Sequence, residues 1–211
     1  MVQTIAADKV TLYDLEQRFG LRQTIDPAFF AEWQDRLPDL TEGELHRLAR
    51  VKASMANLEQ RSILENTVKL AVVAPLLDLS GFFLPPFYVS TEDAIAIEAS
   101  DKSVTVRGRI DVLVLQDQLW VLVIESKRAE FSIKVGIPQA LAYMLANPNH
   151  NQNNYGLVTN GTDFVFLKLN RLDGNLFGRS HQFILGQDDD LERVLQIMKR
   201  LAQLMETPPS A

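Results

Sequence analysis

This chain contains two short segments, Gly108-Arg109-Ile110-Asp111 and Ile124-Glu125-Ser126-Lys127, that place charged residues at the ends of apolar runs. Asp111 opens the run Val112–Leu115, and Glu125 with Lys127 closes the run Leu119–Ile124. Apolar runs of this length, bounded by polar residues, predict two neighbouring β-strands. Charged side chains are rarely buried unless they are paired or hold a metal. The two segments therefore predict a strand pair with a candidate functional site at one end.

The predicted hairpin brings the three charged side chains together. Glu125 and Lys127 are two residues apart, so they point to the same face of their strand. A turn around Gln116–Gln118 would place Asp111 roughly opposite the stretch from Val123 to Glu125. The two carboxylates would then be about 5–8 Å apart at Cβ, close enough to share one cation. Mg²⁺ prefers oxygen ligands and often takes only one or two carboxylates, so the pattern favours metal-dependent phosphodiester hydrolysis.

A simpler interpretation stays open for the same residues. Glu-x-Lys is a common tripeptide, and charges at strand ends usually meet solvent or form a partly exposed salt bridge. On this interpretation the chain is an unrelated α/β binding protein. The Asp on the preceding strand, at matching depth, favours the functional interpretation.

The spacing of these residues resembles the PD-(D/E)xK nuclease signature. After the hairpin, a predicted helix carries Gln139 and Tyr143, which share a helix face. This pair is similar to the Gln-x-x-x-Tyr element of the RecB-like branch and of the nuclease domain at the N-terminus of type I restriction enzyme R subunits. The segment Tyr155–Leu169 reads as a hairpin with an Asn-Gly turn, like the closing hairpin of those domains. The resemblance covers roughly residues 61–170.

The resemblance implies a fold and a set of site residues. The fold is α/β, a restriction-endonuclease-like αβββαβ core with a mixed sheet flanked by helices. The implied cofactor is Mg²⁺, for which Mn²⁺ can substitute, and the implied substrate is nucleic acid, DNA in the first place. The catalytic residues would be Asp111, Glu125 and Lys127. The metal ligands would be Asp111, Glu125, the Ser126 carbonyl and Glu65 from the first core helix, while Gln139 and Tyr143 would contact substrate or orient the site.

Glu65 has a second interpretation. Ser62-Ile63-Leu64-Glu65 reads as a capping box, in which Glu65 would satisfy the N-terminus of its own helix without a metal. Both roles remain open from the sequence.

Composition limits the remaining possibilities. The chain has 211 residues, an apolar fraction of 46% and no cysteine, which excludes disulfides, thiolate catalysis and Cys-based zinc sites. The net charge is −6, yet residues 100–180 carry 9 Lys and Arg against 7 Asp and Glu, so the candidate catalytic segment is basic. Most of its basic side chains are expected to be ordinary solvated charges. The candidates for phosphate contact are Arg107, Arg109, Lys127, Arg128, Lys134 and Lys168.

The predicted organisation has three parts: a helical N-terminal extension over residues 1–60, a nuclease-like core over 61–170, and a C-terminal strand and helix over 171–211. No apolar run is long enough to span a bilayer, so we expect a cytoplasmic protein without membrane contact. The sequence contains no Gly-x-x-x-x-Gly-Lys-Ser/Thr phosphate loop, which excludes a helicase motor here. A homodimer, or a separate motor or specificity subunit, is the expected partner. The alternative function is a catalytically silent or partner-dependent domain used for nucleic-acid binding or complex assembly.

Overall fold

The computed structural model describes residues 3–99, 104–116, 119–129, 132–172 and 174–206, so the turn predicted at Gln116–Gln118 lies largely outside the described residues. The strands are β1 (Gln3–Ala6), β2 (Arg22–Gln23), β3 (Phe87–Glu98), β4 (Val104–Gln116), β5 (Leu119–Ser126), β6 (Asn154–Thr159), β7 (Asp163–Asn170), β8 (Leu176–Arg179) and β9 (Phe183–Ile184). The helices are α1 (Leu12–Phe19), α2 (Glu42–Leu58), α3 (Glu65–Val68), α4 (Ala74–Leu79), α5 (Gly136–Leu145) and α6 (Asp190–Glu206).

These strands form one mixed sheet. Its order is β1-β4-β5-β6-β7-β8-β2, with β3 added beside β4 and β9 beside β7. The pairs β1–β4, β5–β6 and β2–β8 are parallel, and the other pairs are antiparallel. β5 lies between β4 and β6, as its nearly continuous apolar sequence predicts for a strand covered on both faces. The predicted mixed sheet with flanking helices is confirmed.

Helices cover both faces of the sheet. One core contains the apolar sides of α2, α4 and α6, packed on residues such as Val112 and Ile124. The second core contains α5 and α1, packed on residues such as Leu113 and Val123. Successive residues of β4 and β5 therefore enter opposite cores, which is the two-residue period of a strand.

The helical stretch after α2 is continuous but irregular. α3 leads into a π-helical segment, Lys69–Val73, and then into α4 with Pro75 in its first turn. Proline has no backbone N–H, so it cannot donate to the regular hydrogen-bond ladder at this position. The first residue of the irregular segment, Lys69, reaches Asp111 on the sheet.

The N-terminal segment is not purely helical, and this part of the prediction was wrong. β1 adds to β4 and β2 adds to β8, so residues 3–23 contribute strands at two places in the sheet. Both strands are short and largely exposed, and their sequences carry no strong alternation that would mark them as strands. The helical part of the prediction is met by α1 and α2, whose N-termini have capping boxes formed by Thr11 and Thr41. No helix within the described ranges has the length and hydrophobicity to cross a membrane.

Candidate active site

Asp111 lies where β4 changes partners. β4 pairs with β1 through Arg107 and with β5 from Val112 onward, so residues 108–111 lie between the two partner strands. Continuing the β4–β5 register by one residue from the Val112–Ile124 pair places Asp111 opposite Glu125, at the end of the stretch from Val123 to Glu125 that the sequence predicted. The Asp111 carboxylate accepts hydrogen bonds from the Ser126 amide at 2.8 Å and the Ser126 hydroxyl at 2.9 Å. These bonds fix one carboxylate oxygen, Oδ2, against the end of β5.

Glu125 is the most buried charged group of the site, with only 1% of its surface exposed. Its Oε1 accepts a hydrogen bond from Lys127 Nζ at 2.6 Å, whereas its buried Oε2 has no hydrogen-bond partner among the described residues. Burial, together with the negative charges of Asp111 and Glu65, raises the pKa of Glu125 to about 8 despite the adjacent Lys127. The carboxylate therefore sits in a place that disfavours its own charge unless further positive charge is supplied.

The α5 helix holds Lys127 through a chain of side-chain hydrogen bonds. Lys127 Nζ donates to Gln139 Oε1 at 2.7 Å, and Gln139 Nε2 donates to the Tyr143 hydroxyl at 2.6 Å. That hydroxyl also interacts with the backbone of Arg109. Burial, and next the Glu125 charge, raise the pKa of Tyr143, so its hydroxyl stays neutral. Gln139 and Tyr143 are both buried, and this arrangement lets them orient Lys127.

Two glycines allow α5 to approach the sheet this closely. A Cβ atom on Gly108 would lie 2.9 Å from the Tyr143 hydroxyl and 2.6 Å from the Cβ of Ala7. A Cβ atom on Gly136, the first residue of α5, would lie 2.7 Å from Val158 on β6. Real Cβ atoms do not pack at such distances, so both positions require glycine for the close approach.

Lys69 belongs to the site, although no motif in the sequence marks it as a site residue. Its Nζ lies 2.7 Å from Asp111 Oδ1 and 3.1 Å from Glu92 Oε1. Burial alone would lower the pKa of Lys69, but its bonds and charge interactions with Asp111 and Glu92 raise it overall. The available signal was its spacing, because Lys69 follows Glu65 by four residues and therefore shares its helix face.

Glu92 completes this ion cluster from the neighbouring strand. It lies between the β3–β4 pairs Thr91–Val112 and Asp93–Ile110, across from Asp111. Its backbone has a φ of 60°, in the left-handed region that non-glycine residues seldom adopt. Such strained positions concentrate at functional sites, where the surrounding structure enforces them.

Glu65 does not take the capping role. α3 begins at Glu65 itself and its N-cap is Leu64, whose side chain cannot accept a capping hydrogen bond. The capping box predicted from Ser62 to Glu65 is therefore wrong, because the helix starts two residues later than that pattern requires. Glu65 is near enough to raise the pKa of Glu125, which places its charge in the same cluster.

The basic residues separate into exposed and buried groups. Arg109 precedes Asp111 by two residues on β4, Arg128 follows Lys127, and both are exposed beside the site. Lys168, a candidate for phosphate contact, is buried instead. Its Nζ donates to Glu32 at 2.6 Å and to the Phe29 carbonyl at 2.7 Å, which ties the N-terminal segment to β7. The prediction that Lys168 contacts phosphate was therefore wrong. The sequence alone does not distinguish a buried, paired lysine from a solvated one.

The site offers the oxygen ligands that a hard cation such as Mg²⁺ prefers. Asp111 and Glu125 supply carboxylate oxygens from adjacent strands, and Glu125 Oε2 is a buried acceptor with no partner within the described ranges. No group of three or more His, Asp or Glu side chains in those ranges is close enough to form a preassembled metal cluster. A cation held here would therefore depend on the two carboxylates, with Glu65 nearby and water or substrate completing its shell.

Comparison with known proteins gives one family match. Residues 95–174 match the family model described as the N terminus of the type I restriction enzyme R protein. The matched region includes Asp111, Glu125, Lys127, Gln139 and Tyr143. This part of the chain therefore resembles the N-terminal region of type I restriction R proteins. A search of curated proteins found no match.

One solved structure matches part of this chain. It is the fragment structure of a protein described as an HsdR subunit of a type I restriction enzyme from Vibrio vulnificus YJ016. The two chains are 19% identical and superpose with a TM-score of 0.41 over 70% of this chain. The match covers 27% of the other chain, so the present sequence corresponds to a minor part of that protein.

Proposed function

We propose that this protein is a metal-dependent nuclease of the restriction-endonuclease-like PD-(D/E)xK class that hydrolyses phosphodiester bonds of DNA. One observation carries the proposal. Asp111 and Glu125 face each other on adjacent strands, one buried carboxylate oxygen of Glu125 has no partner among the residues that the structure describes, and Lys127 is held beside it. The match to the R protein N terminus supports nucleic acid, and DNA in particular, as the substrate.

Each residue has a defined task in this proposal. Asp111 and Glu125 hold Mg²⁺, which when bound would activate a water and offset the charge of the phosphate. Ser126 orients Asp111 through its amide and hydroxyl. Lys127 has three N–H donors, of which Glu125 and Gln139 accept two.

We assign the third N–H of Lys127 to the attacking water or to a phosphate oxygen. Attack of the water on phosphorus forms one P–O bond and breaks the bond to the leaving oxygen, which takes up a proton. A fixed ammonium beside the phosphate stabilises the charge that develops during this step. Gln139 and Tyr143 then act as positioning residues, because their hydrogen bonds hold Lys127 rather than the substrate.

A second candidate function rests on a different observation. Each carboxylate already has an ammonium partner, Lys69 for Asp111 and Lys127 for Glu125. Such pairs can be purely structural, in which case the domain would bind nucleic acid or assemble with a motor or specificity subunit without cutting. The two functions differ in whether the carboxylates bind a metal ion.

Two measurements test the proposal. The first is cleavage of supercoiled plasmid, linear duplex, single-stranded DNA and RNA with Mg²⁺, Mn²⁺ or EDTA, by the wild type and by Lys127→Ala. Lys9→Ala is the matched control, since Lys9 is an exposed lysine to which no role in the site is assigned. We expect metal-dependent cutting that Lys127→Ala abolishes and Lys9→Ala retains.

The second measurement is Mn²⁺ binding by calorimetry to the wild type, Asp111→Asn and Glu125→Gln. We expect binding that either substitution removes. Binding of Mn²⁺ without cutting on any substrate would favour a partner-dependent nuclease. The absence of both binding and cutting would favour the structural salt-bridge interpretation.

A further inference from the structure

An open apolar groove lies directly beside the proposed catalytic site. It occupies about 400 Å³ between the stretch from α3 to α4 and the strand β3. Its walls include Leu70, Val73, Phe83 and Val89, and its polar end is formed by Lys69 and Asp111. Leu70 is 76% exposed and Phe83 is 49% exposed. Exposed apolar side chains that border one concave surface usually mark a binding site.

The position of the groove limits what can occupy it. Lys69 and Asp111 belong both to the groove and to the charged site, so a phosphate bound at the site leaves its adjoining nucleoside facing the groove. The junction carries the ammonium of Lys69 together with the carboxylates of Asp111 and Glu92, so a phosphate there would depend on the proposed divalent cation for its charge balance. The remainder of the wall is aliphatic and aromatic, and this suits the flat face of a base.

We propose that the groove receives an unpaired nucleobase adjoining the scissile phosphate, so that the preferred substrate is single-stranded or locally unpaired nucleic acid. In a duplex the base faces are covered by stacking, and exposing one costs free energy. An apolar wall accepts any base face without reading its hydrogen-bonding edge, so the preference would tolerate different sequences. This inference rests on the proposed function, because it places the phosphate at Asp111.

The test measures binding, which separates the groove from catalysis. A fluorescently labelled single-stranded oligonucleotide and a blunt duplex of the same sequence are titrated with protein, and anisotropy is recorded in EDTA and in Ca²⁺. The variants Phe83→Ser and Leu70→Ser remove apolar wall. Tyr88→Ser and Leu64→Ser are matched controls, since Tyr88 is 66% exposed and Leu64 is 53% exposed, and both lie outside the groove lining.

We expect the single strand to bind at least tenfold more tightly than the duplex. Phe83→Ser should weaken that binding about tenfold, the effect of one base stacked on an aromatic ring. The two controls should stay within twofold of the wild type. Melting curves for all variants would establish that the exposed substitutions leave the fold intact.

Several results would overturn the inference. These are equal affinity for duplex and single strand, unchanged single-strand binding by Phe83→Ser, or no binding of single strands in either condition. Loss of self-association in Phe83→Ser, with nucleic-acid binding intact, would make the groove a protein interface instead. If Phe83→Ser cuts as well as the wild type, the groove does not bind the substrate, and the nuclease proposal is unaffected. If binding depends on the groove but the wild type does not cut, the groove binds nucleic acid and the nuclease proposal is wrong.

Discussion

Replacing Glu125 with glutamine should make the stability of this protein much less sensitive to pH. The wild-type carboxyl is buried, has one oxygen without a partner in the described residues, and has a pKa raised to about 8. Glutamine has nearly the same shape and keeps an oxygen that can accept the hydrogen bond from Lys127. It carries no charge at any pH, so the variant avoids the cost of ionising this group.

The direction and size of the effect follow from the two pKa values. The ordinary pKa of 4.5 applies in the unfolded chain, and the folded value is about 8. Between these values the folded protein holds a proton on Glu125 that the unfolded chain has released, so the contribution of Glu125 to stability is greatest below pH 4.5 and falls as pH rises toward 8. Each pH unit costs about 1.4 kcal/mol, so the wild type loses up to about 4 kcal/mol between pH 5 and pH 8.

Urea unfolding at pH 5, 6, 7 and 8 tests this, without added metal. The quantity of interest is the difference in free energy of unfolding between Glu125→Gln and the wild type, since other titrating groups largely cancel in it. That difference should shift toward the variant as pH rises and level off above about pH 8. Glu98→Gln, at an exposed glutamate of β3, is the control and should show no such trend. A difference that stays constant across this range would show that Glu125 does not titrate with a raised pKa in the folded protein.

Three further substitutions probe the surroundings of the site. Lys69→Met removes an ammonium 2.7 Å from Asp111 Oδ1, so Mn²⁺ should bind about threefold or more tightly in calorimetry; weaker binding would mean that Lys69 does not compete with the ion. Tyr143→Phe leaves Gln139 Nε2 without its acceptor and should cost about 1–3 kcal/mol in urea unfolding, and a neutral effect would show that this bond does not hold the site together. Gly108→Ala places a methyl group 2.9 Å from the Tyr143 hydroxyl and should destabilise by about 1–3 kcal/mol in the same assay, unless β4 shifts freely.

The sequence predicted the centre of the sheet because local patterns are strong there. The apolar runs Val112–Leu115 and Leu119–Ile124 lie in the strands β4 and β5 as predicted, since apolar runs with clear ends have few alternatives. The hairpin predicted that Asp111 lies roughly opposite the stretch from Val123 to Glu125, and the strand register of the structure narrows this to Glu125. The helix carrying Gln139 and Tyr143 was predicted from its amphipathic pattern, and the structure adds the hydrogen bonds that connect it to Lys127.

The remaining site residues depend on tertiary structure. Lys69 reaches Asp111 through the irregular segment before α4, and no local pattern predicts which partner a lysine on such a segment will find. Glu92 enters the cluster because β3 pairs with β4 in one particular register. β1 and β2 are short strands whose pairing partners lie far along the chain. Whether these residues form strands is therefore decided by the sheet that they join and not by their own sequence.

The energetics of the site favour a functional role over a structural one. A buried ion pair is seldom more stable than well-packed apolar side chains of similar volume, so stability alone gives little reason for charges here. Glu125 supports a functional role most strongly. Lys127 does not bring the pKa of Glu125 down to the ordinary range, because burial and the negative charges of Asp111 and Glu65 raise it. Four carboxylates, those of Asp111, Glu125, Glu65 and Glu92, face two ammonium groups, Lys69 and Lys127, and one buried oxygen still has no partner in the described chain. A divalent cation would supply the missing positive charge and a partner for that oxygen. The same features that make the metal-free site costly are therefore those that a metal-dependent nuclease would use.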